Sequence, residues 1–223
     1  MKQLLFLLML SFGLSAFAQS TIYGVEPNGS DFYSIDATTY VATTSALTSN
    51  VGSVTGCNGL STVCGSTFVV FKHASASGRF LGTLDLSTGS ITSIGLLNDL
   101  IASIAFDGSG TLYGVTGDGA SISETLYTID TNTAAMTLVT ALGNGNDGEC
   151  IGYNPTDGFM YHWSGWGSVN VIMEKINLTT LAITPIILSG ASIDNVGSAV
   201  FDGSSDFIVS DINQDGIFTI SST

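Results

Sequence analysis

Pairs of one kind return along this chain at nearly fixed intervals. Ile35-Asp36, Leu84-Asp85, Ile129-Asp130, Ile176-Asn177 and Ile220-Ser221 follow one another at steps of 49, 45, 47 and 44 residues. A second pair recurs as Phe106-Asp107, Tyr153-Asn154 and Phe201-Asp202, at steps of 47 and 48. Between these marks lie short apolar-alternating runs broken by Gly, Asp and Asn, with no sustained helical period beyond the first residues. A period of about 46 residues made of short strands predicts propeller blades, because one four-stranded sheet cannot bury both faces without neighbours. The expected fold is therefore all-β, a β-propeller of about five four-stranded blades. Their bounds are roughly 19–47, 57–96, 101–142, 148–188 and 196–223.

The third unit gives the strand plan. Strand A covers 103–107, B 111–116, C 125–130 and D 136–140. Alternation places Ile104, Phe106, Leu112, Val115, Leu126, Ile129 and Leu138 between blades. Their counterparts include Phe68, Val70, Phe80, Leu84, Ile91, Tyr161, Ile176, Ile183, Val200, Ile208 and Phe218. Asp107-Gly108 and Asp202-Gly203 sit at A–B hairpins, where Asp-Gly tolerates the positive φ of a tight turn. Asp85 and Asp130 open the C–D turns, so the repeated acids are turn formers first. Strand counting at the ends adds one expectation. The first unit begins at a B-like strand and the last stops inside a C-like one, so the propeller reads as incomplete at its C-terminus.

Residues 1–18 read as an export signal: Lys2, an apolar Leu4–Phe12 run and an Ala16-Phe17-Ala18 cleavage site. The apolar run is too short to span a membrane, and no later segment supplies the ~18 apolar residues a span needs. The expected product, residues 19–223, is secreted or at the cell surface. Eighteen acids against four bases give a net charge of −14, which becomes −15 once Lys2 is removed. Such a balance excludes nucleic acid as a partner, because phosphate binding needs a basic footprint. Three cysteines suit an oxidising compartment. Cys57 and Cys64 flank a six-residue stretch that a turn could fold back and a disulfide could bridge, leaving Cys150 buried alone.

The stretches FLGTLDLSTGSITSIG, from Phe80, and LYGVT with LYTIDTNTAAMTLVTALG, from Leu112 and Leu126, resemble secreted bacterial β-propeller repeats of the YVTN/NHL-like kind. The likeness is to surface repeat domains of unknown function and spans roughly residues 20–223. It implies the propeller fold and export, and an adhesive or surface-attached role often shared with a separate anchoring domain. The matching motifs build blades and specify no activity.

Two local features carry chemistry. The fourth unit holds Tyr161-His162-Trp163 and, three residues on, Trp166, so both tryptophans lie within four residues of each other. A loop-borne aromatic group of this kind suits sugar stacking or a protein contact, with Trp163 alternatively serving as a core residue of strand B. The stretch Asp211-Ile-Asn213-Gln-Asp215-Gly216 matches the opening of a calcium loop, with Asp211, Asn213 and Asp215 as side-chain ligands. Position twelve is Ser222 rather than an acid, and an acidic B–C hairpin is the competing reading. The expected role is a binding or surface-interaction module for a protein or glycan ligand. Two alternatives stay open: a hydrolase or lactonase-like enzyme with its site at the channel mouth, and a structural spacer of a larger adhesin. With only His73 and His162, a multi-histidine metal site has too few ligands.

Overall fold

The computed structural model describes residues 21–37, 39, 41–142, 150–164, 171–188, 193, 195–203, 206–211 and 216–221. Among them every regular element is a strand, and the strands form five small sheets arranged as a five-bladed β-propeller. Blade 1 holds β1 (Thr21–Val25), β2 (Asp31–Asp36) and β3 (Ala42–Ala46). Blade 2 holds β5 (Val54–Val63), β6 (Ser66–His73), β7 (Ala76–Asp85) and β8 (Ser90–Leu96), and the two-residue β4 (Thr48–Ser49) pairs in parallel with β8. Blade 3 comprises β9 (Ile101–Phe106), β10 (Leu112–Thr116), β11 (Thr125–Ile129) and β12 (Met136–Ala141). Blade 4 comprises β13 (Cys150–Asn154), β14 (Phe159–Ser164), β15 (Ile172–Ile176) and β16 (Ile183–Ile186). Blade 5 shows β17 (Val196–Phe201), β18 (Asp206–Asp211) and β19 (Gly216–Ser221). Pairing within each blade is antiparallel between consecutive strands.

This meander gives the molecule two ends. A–B and C–D turns share one end, and B–C and D–A loops share the other. At the turn end the repeated acids and amides do the work expected of them. The Asp107 carboxylate accepts from the backbone N–H of Ser109 and Thr111 at 2.9 and 2.8 Å, and Asp130 accepts from Asn132 and Thr133 at 2.8 and 2.9 Å. Asn154 and Asn177 repeat the pattern in blade 4. One detail differs from expectation: the left-handed residue of the blade 3 hairpin is Gly110 (φ 85°) rather than Gly108.

Adjacent blades pack face to face through four apolar clusters, one at each junction. Phe32 and Leu47 meet Val69, Phe71 and Ile91 between blades 1 and 2. Phe68, Val70 and Leu81 meet Ile104, Leu112 and Ile129 between blades 2 and 3. Tyr113, Val115 and Leu126 meet Ile151, Met160 and Ile176 between blades 3 and 4. Tyr161, Trp163 and Met173 meet Phe207, Val209 and Ile220 between blades 4 and 5. A buried side chain of this size contributes roughly 1.5–3 kcal/mol.

Two core expectations are corrected. Leu138 is 54% exposed, because strand D is the outer edge of its blade, and Val200 is 52% exposed, because it points to the side of blade 5 away from blade 4. The cysteine pairing is corrected as well. Residues 54–63 form one long strand, so Cys57 in β5 and Cys64 in the following turn are held apart instead of folded together. Seven residues of strand place them about 23 Å apart, at about 3.3 Å each, and a disulfide needs Cα atoms within roughly 7 Å. All three cysteines are free.

Candidate functional site

The loop end of blades 3 and 4 departs from the blade plan. Strands B and C place one residue pair opposite each other, two positions in from the Ile-Asp mark, on the face toward the preceding blade. In blade 1 the pair is Gly24–Tyr33, in blade 2 Val69–Gly82, in blade 3 Gly114–Tyr127 and in blade 5 Val209–Phe218. Blade 4 has His162–Glu174. A buried polar pair where every other blade places glycine, aliphatic or aromatic residues calls for an explanation that packing does not supply.

His162 and Glu174 have no exposed side-chain surface. His162 Nδ1 lies 3.4 Å from Glu174 Oε2, and His162 Nε2 lies 3.8 Å from Glu124 Oε2 on blade 3. Ser164, two residues further along strand B, donates its hydroxyl to Glu124 Oε1 at 3.4 Å. The imidazole thus stands between two carboxylates, hydrogen-bonded to Glu174 through Nδ1, while Nε2 faces Glu124 at a distance beyond a hydrogen bond. Two acids on opposite edges of one ring cannot converge on a single ion. Among the described residues no group of three His, Cys, Asp or Glu is arranged to hold a metal.

Glu124 is delivered by an ordered B–C loop. Asp99, in the loop between blades 2 and 3, accepts from Ser121 N at 2.8 Å and from Ile122 N at 3.2 Å. Thr116 donates its hydroxyl to Ile122 O at 2.7 Å and accepts from Thr125 N at 3.0 Å. The Glu124 carbonyl accepts from Leu142 N, and its backbone sits in the left-handed region at φ 52°. That conformation costs about 1–2 kcal/mol for a residue with a Cβ, so the fold holds this glutamate in place against a local penalty. The Glu124 side chain is 11% exposed and is the member of the cluster that meets solvent.

The aromatic group is split by the structure. Tyr161 and Trp163 are fully buried between blades 4 and 5, with Trp163 edge-on to Phe207 at 4.9 Å and Tyr161 tilted on the same ring at 4.9 Å. Trp163 therefore takes the core role that its place on strand B allows. His162 points to the opposite junction, and Trp166 lies outside the described residues. Asp211 ends β18, is 2% exposed, and stands opposite Gly216 across a four-residue connection. The other two calcium candidates, Asn213 and Asp215, lie outside the described residues. Cys150 is buried beside Ser103, and burial pushes its thiol up to about 12, far from a thiolate nucleophile.

Reading the acids as turn formers accounts for Asp85, Asp107 and Asp130 but passes over Glu124 and Glu174. A usable signal was present. Aligning the units on their Ile-Asp marks puts Glu174 where Tyr33, Gly82, Tyr127 and Phe218 stand, the one charged residue in that column. Nothing comparable marks Glu124, which lies in a loop of unequal length.

No protein-family model matches the sequence, and neither does any curated protein. Among solved structures, 318 chains match. One is a chain of Kuenenia stuttgartiensis hydrazine synthase, similar with a TM-score of 0.50 at 17% identity. The similarity covers 84% of this chain and 54% of that one, so the present chain spans about half the length of its neighbour. At that identity the likeness concerns the fold alone.

Proposed function

We propose that this protein is an exported binding or surface-interaction propeller whose contact face is the loop end of blades 3 and 4. The observation that carries the reading is the His162–Glu174 pair, a polar substitution at a position the other four blades leave apolar. It lies directly beneath the point where strand B of blade 4 ends at Ser164 and the segment bearing Trp166 begins. Through Ser164 and Glu124 it couples that point to the ordered loop of blade 3. Loops held before binding lose less freedom on binding, which is where such a cluster contributes affinity. The ligand class that fits is a glycan or protein surface offered to Trp166, with Glu124, the cluster's solvent-facing carboxylate, accepting a hydroxyl or amide hydrogen. The resemblance to YVTN/NHL-like surface repeats and the signal at residues 1–18 support a place outside the cell.

A glycan array and a cell-surface binding assay test the reading with the protein and its Trp166→Ala variant. Loss of binding with unchanged thermal unfolding is the expected result. Equal binding by both proteins overturns it. The hydrolase reading gains less, because the cluster sits on strands B and C, away from the channel-lining strands A, and only Glu124 of its acids meets solvent.

A further inference from the structure

Blade 2 joins its strands B and C at the loop end by a tight hairpin, with Ala74 and Ser75 at its tip. Two irregularities lie at its base. One interrupts the β6–β7 pairing between Phe71 and His73, the other the β5–β6 pairing between Val54 and Gly56. Consecutive residues of a regular strand point to opposite faces, and a bulge re-aims one of them. Lys72 and His73 accordingly both reach the segment 52–56 that links blade 1 to blade 2. A Cβ on Gly56 would meet Lys72 Cε at 2.5 Å and Nζ at 2.9 Å. One on Gly52 would meet His73 Nδ1 at 3.3 Å and the Ser75 hydroxyl closer still. The Ala74 N–H donates to Ser53 O at 2.9 Å and the Cys57 N–H to Glu26 O at 2.6 Å, so the walls of this seam are tied together.

Its polar groups lack the partners that a purely structural role would give them. His73 is 6% exposed and packs on Phe80 at 4.4 Å, and its Nδ1 is buried without a hydrogen-bond partner. A buried polar atom in that state costs stability. Lys72 Nζ donates to Asn28 Oδ1 at 3.3 Å. Among the described residues no carboxylate pairs with this ammonium, in a chain of 18 acids and four bases. Burial pushes the Lys72 ammonium below its usual value and the charge of Arg79 adds to that, so the cation stands where its surroundings disfavour it. An anion at this point would offset both effects.

We propose that the seam between blades 1 and 2 at the loop end binds a sugar acid, with its carboxylate on Lys72 and its hydroxyls on Ser75 and His73 Nδ1. This site is separate from the contact face of blades 3 and 4 and does not depend on it. Ser75 shares the space at Gly52 with the imidazole and is itself exposed, so a rotamer change of its side chain opens Nδ1 to a ligand hydroxyl. One ammonium among neutral hydrogen-bonding groups matches a single carboxylate better than a phosphate, which is held by several charge-assisted donors. A net charge of −14 repels a densely acidic protein. A sugar with one carboxylate and several hydroxyls uses both kinds of group present.

The test is an NMR titration of the isotope-labelled protein with glucuronate, glucose and a blocked glutamate as probes. Glucuronate should give saturable shifts at Lys72, His73 and Ser75. Glucose should bind about tenfold more weakly, since hydrogen bonds to charged groups are the stronger kind. Lys72→Gln should lose about tenfold in glucuronate affinity and Ser75→Ala less, both with unchanged thermal unfolding. Lys175→Gln, which removes a cation from blade 4, should bind as wild type does. The inference is overturned by a wild type without saturable shifts, by glucose binding as tightly as glucuronate, or by Lys72→Gln binding like wild type. An equal loss in Lys175→Gln overturns it too, because binding would then follow overall charge. Tighter binding of the blocked glutamate overturns the assignment to a sugar.

Discussion

Blades 3 and 4 share one strand order and one turn chemistry, yet at the same cross-strand position blade 3 has Gly114–Tyr127 and blade 4 has His162–Glu174. In blade 3 the side chains of Ile129 and Ile101 fill the space above the glycine, and Tyr127 joins the apolar cluster toward blade 2. In blade 4 that volume holds an ion-pairing group shared with Glu124 of its neighbour. Blade 3 is thus joined to the preceding blade by burial and by hydrogen bonds from Phe106 N–H to Ser61 Oγ and from the Arg79 guanidinium to the Ile101 carbonyl, whereas the 3–4 junction buries an imidazole between carboxylates at its loop end. A buried polar cluster loses more than one contact when one member is removed, because its parts depend on one another.

The largest effect comes from breaking that cluster halfway. His162→Ala removes the ring that hydrogen-bonds the fully buried Glu174 carboxylate and lies 3.8 Å from Glu124, and should cost about 3–5 kcal/mol, read by denaturant unfolding. Giving blade 4 the pair used in blade 5 (His162→Val with Glu174→Phe), together with Glu124→Gln, removes the charges as a set. Its stability should fall within about 1 kcal/mol of wild type or above it, while ligand binding at the loop end is lost. A triple variant as damaged as His162→Ala would mean that the cluster holds the fold rather than the loops.

A smaller loss is expected at the same column in blade 2. A Cβ on Gly82 would meet Ile91 Cγ2 at 2.8 Å, the Thr92 carbonyl oxygen at 2.9 Å and Phe71 Cε1 at 3.0 Å. Backbone cannot step aside, so Gly82→Ala should cost about 1–3 kcal/mol through overpacking, measured by the same unfolding curves. The C–D turns offer a gain instead. Gly89 in blade 2 takes φ 71°, and the equivalent Leu181 in blade 4 takes φ 59° with 38% exposure. Leu181→Gly should raise stability by about 0.5–1 kcal/mol by relieving the left-handed conformation, seen as a higher Tm.

The smallest effect is a pH dependence at the turn end. Asp130 is held below the ordinary carboxylate value, first by the Asn132 N–H and then by the Thr133 hydroxyl and N–H; Asp85 is lowered chiefly by the Ser87 hydroxyl. Because the folded value is the lower one, their contribution is present above the unfolded value of about 3.9 and is lost as pH falls through the folded value. Both groups are exposed, so a thermal scan should show a shallow drop in Tm below about pH 4. Asp130→Asn should flatten it.

Much of this was legible because a repeat prints its own alignment. The Ile-Asp spacing, the alternation in LYGVT and the Asx turns depend on neighbours within a few residues, and they specify strands, hairpins and blade number. Leu112 and Ile129 follow from period-two alternation alone. The misjudged residues failed for one reason. Leu138 and Val200 have the alternation of core residues, and Cys57 and Cys64 flank a stretch that suits a loop. Which blade stands beside each, and how long the strand runs, is not written locally.

By itself, then, the amino-acid sequence determined an all-β, acidic chain of blade-length repeats and which face of each strand is apolar. Backbone sterics and side-chain alternation act over a few residues, and that is the range over which a chain dictates its own structure. Tertiary structure decided which faces become interiors, that Tyr161 and Trp163 belong to one junction and His162 to the other, and that Glu124 and Glu174 meet at one imidazole from residues 50 positions apart. Burial and charge pairing act through space, and only the packing of one blade on the next brings those groups within range.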